Sequence, residues 1–145
     1  MTRAVRVVFL VIALLALAGI AVSSVSLYHH FQTSKTEYCD FGETFNCDIV
    51  NRSVYSTIFG IPVALIGILG YAGIGVLATL YRDRVDTPKV LLGASVAGLA
   101  FALYLTYIEG FVLGTWCILC LSSLTVIALI TILSSFVMAQ SVRRA

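Results

Sequence analysis

Charged side chains are scarce in this 145-residue sequence, which has nine Lys and Arg and seven Asp and Glu, or 11% of the chain. A soluble domain usually carries about 25% charged residues. Four stretches have no charge at all, and each could span a bilayer, which needs roughly 20 apolar residues in a helix. They are residues 7–28, 53–81, 90–108 and 110–142. The shortage excludes a soluble globule; we expect a protein of the lipid bilayer with no nucleic-acid partner.

Proline is also rare, and both prolines are interpreted as helix starts. As one straight helix, residues 53–81 would extend ~44 Å, well beyond a hydrocarbon core of about 30 Å. The sequence Gly60-Ile61-Pro62 offers a break, because proline suits the first turn of a helix. Residues 53–59 are therefore predicted to form a short re-entrant or interfacial helix. Thr87-Pro88 predicts the start of the next span.

The predicted fold is all-α, an integral membrane four-helix bundle in a single domain, residues 1–145. Its helices are expected at about 5–28, 62–81, 88–108 and 115–138, with an extracytoplasmic redox loop at 29–61. Arg3 and Arg6 before an apolar run also resemble a signal peptide. The run is longer than the usual apolar segment of about 7–15 residues, so an uncleaved first helix is the preferred interpretation.

The basic residues predict the orientation, because short cytoplasmic loops are rich in Lys and Arg. Seven of the nine fall in segments that an even number of spans places on one face: Arg3, Arg6, Arg82, Arg84, Lys89, Arg143 and Arg144. Both termini are therefore predicted to be cytoplasmic, and the loop after the first helix extracytoplasmic.

That topology places all four cysteines on the extracytoplasmic side. Cys39 and Cys47 lie in the predicted loop, while Cys117 and Cys120 form a CxxC at the start of the last helix. A helix N-terminus stabilises a thiolate, and an i, i+3 spacing puts both sulfurs on one face. Because thiol exchange passes through a mixed disulfide, a second pair nearby can relay electrons. A lipid-soluble quinone could accept them at the membrane edge.

The cysteines could instead form a structural disulfide, a zinc site or a haem attachment site. A purely structural CxxC bridge closes too small a loop to stabilise much by chain entropy. A zinc site with His29 or His30 as spare ligands would usually draw on two tight CxxC-like pairs, and only one is present, so no metal is predicted. Leu121 replaces the histidine that haem attachment needs. The alternative function is a membrane-embedded metal-binding or structural module without turnover.

Three segments together resemble the vitamin K epoxide reductase family in its prokaryotic form. The first is Cys39 followed by Cys47-Asp-Ile-Val-Asn-Arg-Ser53, the second is Phe59-Gly60-Ile61-Pro62, and the third is Tyr107-Ile108-Glu109 followed by Trp116-Cys117-Ile118-Leu119-Cys120. The resemblance covers nearly the whole chain, including the number of spans and the order of the cysteines.

The resemblance implies a quinone reductase that oxidises a thioredoxin-fold (DsbA-like) partner and so supports disulfide formation. It implies that Cys39 exchanges with the partner, Cys47 passes electrons to Cys117, and Cys120 meets the quinone, of menaquinone, ubiquinone or vitamin K type. By the same resemblance the quinone pocket would include Ser53, Ser56, Phe59 and Leu113. Ser53 could equally be a helix cap, and the apolar residues could equally serve packing.

Overall fold

The structure is a computed structural model that describes residues 2–31 and 57–144, the side chain of His29 excepted. The described residues form four long helices, a short hairpin and one π-helical segment. In chain order these are α1 (Arg3–Phe31), β1 (Thr57–Ile58), β2 (Ile61–Pro62), α2 (Val63–Thr79), α3 (Thr87–Tyr107), the π-helical segment (Ile108–Leu113) and α4 (Ile118–Arg144). The predicted class, an all-α membrane bundle of four helices, is confirmed.

The largest differences from the predicted helix bounds lie between α3 and α4. The chain stays helical beyond Tyr107 as a π-helix and ends at Gly114, whose φ of 68° is left-handed and typical of a helix C-terminus. An extended link follows, so α4 begins at Ile118 rather than near residue 115. At its other end α4 continues to Arg144, where basic side chains interact favourably with the helix dipole.

Residues 57–62 form a hairpin rather than a helix. Strand β1 pairs antiparallel with β2, Thr57 opposite Pro62 and Ile58 opposite Ile61. The two turn residues, Phe59 and Gly60, have φ of 53° and 80°. Positive φ at both central positions is the mark of a type I′ turn, and it is uncommon for a bulky residue such as Phe. Residues 53–56 of the predicted re-entrant helix lie outside the described part of the chain.

Helix α1 lies at the centre of the packing. It contacts α2 and α4 along its length, α4 also packs on α3, and the contact between α2 and α3 is sparse. The buried core joins all four helices; its largest members include Phe9, Ile12, Leu91 and Ile130. Because α2 and α3 barely touch, space is left between them.

Small residues allow the closest helix contacts. A Cβ at Gly19 would lie 2.5 Å from the ring atoms Cδ1 and Cε1 of Tyr71, so α1 and α2 can approach here only because residue 19 is a glycine. On α3, a Cβ at Gly98 would lie 3.2 Å from Ile127 of α4. Of the small residues at 93–98, Gly98 makes this helix contact, whereas Ala94 and Ala97 face a cavity and a Cβ at Gly93 would meet nothing within 4 Å.

The outer surface is as apolar as a lipid-facing surface must be. Leu17 on α1, Leu69 on α2 and Ile132 on α4 are 62%, 65% and 65% exposed. Contiguous exposed apolar surface marks contact with a partner or a membrane. Among the described residues, three helical segments are long and apolar enough to cross a bilayer: Arg3–Tyr28, Thr87–Leu113 and Ile118–Arg144. With 17 residues, α2 is at the short limit for a span.

The basic segments meet at one end of the bundle. Arg82, Arg84 and Arg144 line a common depression of about 300 Å³, together with Val5 and Phe9 of α1. The two described cysteines lie at the start of α4, Cys117 just before it and Cys120 in its first turn, and the last turn of α4 carries Arg143 and Arg144. The helix therefore separates the CxxC from the basic end; which end faces the cytoplasm remains a prediction.

The Gly19 contact can be tested by adding one methyl group. We expect Gly19→Ala to lower the free energy of unfolding by about 1–3 kcal/mol, the usual cost of overpacking, because the methyl group would overlap the Tyr71 ring. Gly73→Ala on α2 is the matched control, since a Cβ there meets nothing within 4 Å. Thermal unfolding in detergent measures both. Equal melting temperatures for the two variants would contradict the proposed close contact.

Candidate redox site

The CxxC lies where the extended link enters α4. Cys117 is the last residue before the helix and is fully buried, whereas Cys120 lies in the first turn and is half-buried; both are free thiols. The carbonyl of Cys117 accepts the N–H of Leu121 at 3.0 Å, which makes Cys117 the N-cap residue. The structure therefore has the CxxC at a helix N-terminus, as the sequence predicts.

The Cys117 sulfur accepts hydrogen bonds that a helix N-terminus offers to an anion. The hydrogen bond from the Cys120 thiol, helped by the backbone N–H groups of Cys120 and Leu119, lowers the pKa of the Cys117 thiol. Burial and the nearby Glu109 carboxyl group act in the opposite direction. A cysteine thiol in this position is more readily ionised than an ordinary one, which favours thiol exchange.

A buried carboxyl group adjoins both cysteines. Glu109 is 1% exposed, and its Oε2 accepts the backbone N–H of Cys117 at 3.2 Å. The Cys120 thiol lies close to the same carboxyl group. Its Oε1 is buried and has no hydrogen-bond partner among the described residues. A buried carboxyl oxygen without a partner is costly in a structural role and is expected at a functional site.

The π-helical segment brings Glu109 to the cysteines. The N–H groups of Gly114 and Thr115 both donate to the Glu109 carbonyl, which folds the end of this segment back toward the link. Trp116 then lies flat against Gly110, where a Cβ would come within 2.8 Å of the indole Cη2 atom. Short π-helical insertions occur often at functional sites, because they change which face a side chain occupies. Here the backbone of residues 109–110 is fixed directly against residues 115–117.

A cavity of about 340 Å³ adjoins Cys120 on the side of the bundle interior. It occupies the space between α2 and α3, and α1 and α4 supply its remaining walls. The lining is largely apolar, with Ile66, Phe101 and Leu105 among its members. Pockets that hold small organic molecules have about this size and character, at roughly 300–1,000 Å³.

A few polar groups interrupt this apolar lining. The Tyr71 hydroxyl donates to the Ser123 carbonyl at 2.9 Å and lies 2.8 Å from the Ser123 hydroxyl, which joins α2 to α4. Both residues line the cavity. Ser23 and Ser26 of α1 and Cys120 of α4 line it as well. A small number of polar groups in an apolar pocket is the usual means of orienting a ligand.

Of the other predicted site residues, four fall outside the described residues: Cys39, Cys47, Ser53 and Ser56. Phe59 lies at the tip of the hairpin and is fully exposed, and Leu113 packs against Cys117. Neither Phe59 nor Leu113 lines the 340 Å³ cavity. Their part in binding a quinone remains a prediction.

A profile of the Vitamin K epoxide reductase family matches residues 10–135 of the chain. The match includes α2, α3, the CxxC and the greater part of α1 and α4, and the chain belongs to this family. Family and fold together define a membrane oxidoreductase.

Sequence reasoning did not single out three residues of this site: Glu109, Tyr71 and Ser123. Glu109 enters the sequence prediction only as part of the motif Tyr107-Ile108-Glu109, with no role of its own. A carboxyl group between two long uncharged stretches is itself a signal, because ionisable residues within membrane spans usually serve function. No sequence pattern indicates Tyr71 or Ser123, because their hydrogen bond joins residues that are far apart in the chain.

The hydrogen bond to the Cys117 sulfur predicts a titration. In a Cys39→Ala, Cys47→Ala background, we expect Cys120→Ala to move the ionisation of Cys117 to higher pH, because the strongest stabilising donor is lost. Cys120→Ser keeps a hydroxyl donor and should fall between Cys120→Ala and the parent. Thiolate ultraviolet absorbance measures this without access to the buried sulfur. An ionisation that is the same with Ala and Ser at residue 120 would argue against the predicted bond.

Proposed function

We propose that this chain is a quinone-dependent thiol oxidoreductase that passes electrons from an extracytoplasmic thioredoxin-fold protein to a membrane quinone and so supports disulfide formation. The observation that carries the proposal is the position of Cys120, which adjoins Cys117 and forms part of the wall of an apolar cavity. A dithiol beside a lipid-like cavity suits exchange with an apolar two-electron carrier.

The residues of the cavity fit a quinone ring. Its walls are apolar, its volume suits a small ring system, and Tyr71 and Ser123 could offer hydrogen bonds to carbonyl oxygens. A quinone bound there would supply an acceptor for two electrons and two protons. The sparse contact between α2 and α3 supports entry from the lipid. Menaquinone, ubiquinone and a vitamin K type quinone all share this chemistry.

The proposed relay starts outside the described residues. Following the family resemblance, a dithiol of the partner would reduce a Cys39–Cys47 disulfide, and Cys47 would then reduce a Cys117–Cys120 disulfide by thiol exchange. Each exchange breaks one S–S bond and forms another, so two electrons pass from one cysteine pair to the next and no other oxidant is needed. Cys117 and Cys120 would finally return to the disulfide as the pair and two protons pass to the quinone. The termini would be cytoplasmic and all four cysteines extracytoplasmic.

Turnover of purified protein tests the proposal. With a reduced thioredoxin-like donor and a soluble quinone analogue in detergent, we expect quinone reduction, and we expect Cys117→Ala and Cys120→Ala each to abolish it. Ser122→Ala is the matched control, because Ser122 is near Cys120 in sequence and its hydroxyl bonds only to the Ile118 carbonyl among the described residues. Unchanged turnover in both cysteine variants would refute an enzyme of this kind. Tightly bound zinc with four protected thiols would favour the metal-binding alternative.

The cavity can be tested separately from the thiols. A Cβ at Gly70 or at Gly73 meets nothing within 4 Å, but of the two only Gly70 lines the cavity. We therefore expect Gly70→Phe to fill the cavity and raise KM for quinone at least tenfold, while Gly73→Phe on the same helix leaves KM unchanged. Quinone titrations of the two variants measure this. If both variants bind quinone like the parent, the quinone must enter elsewhere.

A further inference from the structure

Resting on the function proposed above, we propose that Glu109 is a catalytic residue: it accepts the thiol proton of Cys120 when the Cys117–Cys120 dithiol is oxidised. The relay needs such a group, because a thiolate rather than a thiol gives up the electron pair. Nothing in the family match assigns this task to a particular residue of the chain.

The geometry gives each carboxyl oxygen a different environment. Oε2 accepts the N–H of Cys117 at 3.2 Å, which holds the group in place. Oε1 has no partner among the described residues, so it can receive a proton without breaking an existing bond. The Cys120 thiol, a reacting group, lies close to the same carboxyl group. Within the described part of the chain, the titratable groups that interact with Glu109 are these two thiols.

Burial limits the access of water as an alternative proton acceptor. Glu109 is 1% exposed and Cys117 is fully buried, so water has little access to either. Proton transfer by a positioned side chain typically contributes 10²–10⁴-fold to a rate. A carboxylate held beside the thiol is already positioned to accept the proton.

The oxidation balances as follows. Two S–H bonds break, at Cys120 and at Cys117, and one S–S bond forms. The electron pair and both protons reduce the quinone to the hydroquinone. Glu109 takes the Cys120 proton first and holds it until the reduced quinone takes it up to complete the hydroquinone, so the carboxylate is regenerated in each turnover.

A purely structural role makes a different prediction. Glu109 could serve only to anchor the link through its bond to the Cys117 N–H. Glu109→Gln retains an oxygen acceptor for that N–H but cannot accept a proton, whereas Glu109→Ala loses both properties. An anchor would leave the Gln variant close to the parent and the Ala variant impaired, while a proton acceptor would leave both variants impaired.

Single-turnover oxidation of the pre-reduced protein by a soluble quinone analogue separates these roles. At neutral pH we expect Glu109→Gln to be slower by about 10²-fold. The deficit should shrink as pH rises and solvent removes the thiol proton. Ser122→Ala is the control. A Gln variant within twofold of the parent, or a deficit that is constant with pH, would overturn the role of Glu109. A parent protein that fails to reduce any quinone would overturn the proposed function, and this step with it.

A second readout needs no quinone. In a Cys39→Ala, Cys47→Ala, Cys120→Ser background, Cys117 is the remaining thiol. A charged Glu109 raises the pKa of Cys117, so Glu109→Gln should move its ionisation to lower pH. Thiolate absorbance measures the shift. An unchanged titration would mean that no carboxylate lies beside the sulfur, and the proposal would fail even if the parent reduces quinone.

Discussion

The contact of Gly19 with the Tyr71 ring sets the arrangement of this bundle. It allows α2 to approach α1 closely, and the Tyr71 hydroxyl then reaches Ser123 on α4. With α2 held against α1 and joined to α4, the side of α2 that faces α3 has few contacts. The cavity beside Cys120 is therefore a result of helix packing, to which the close approach at Gly19 contributes.

Cys120 lies between two different environments. On one side is an apolar cavity with few polar groups, and on the other are the Cys117 sulfur and the Glu109 carboxyl group. Electron transfer to an apolar carrier and proton removal from a thiol need such different surroundings. The N-terminus of α4 supplies the fixed geometry, because its first N–H groups are directed at the Cys117 sulfur. The backbone thus adds to the stabilisation that the Cys120 side chain gives the Cys117 thiolate.

The sequence predicted the features that depend on local composition. Uncharged stretches indicated the helices, and the CxxC spacing indicated a thiol pair at the start of α4. It did not predict the type I′ turn at Phe59 and Gly60, because Phe rarely adopts positive φ, nor the π-helical extension after Tyr107. The burial of Glu109 and the Tyr71–Ser123 bond depend on contacts between distant segments, which periodicity and spacing do not reveal. Cys39 and Cys47 lie outside the described residues, and their roles remain predictions.

Trp116 is the only tryptophan in the chain, and it lies directly before Cys117 with its ring against Gly110. Sulfur groups quench indole emission, and they do so differently as thiol, thiolate and disulfide. The protein thus contains a built-in optical reporter next to its reactive sulfurs. Its emission would follow the state of the thiol pair in real time, in unlabelled protein and within an intact membrane.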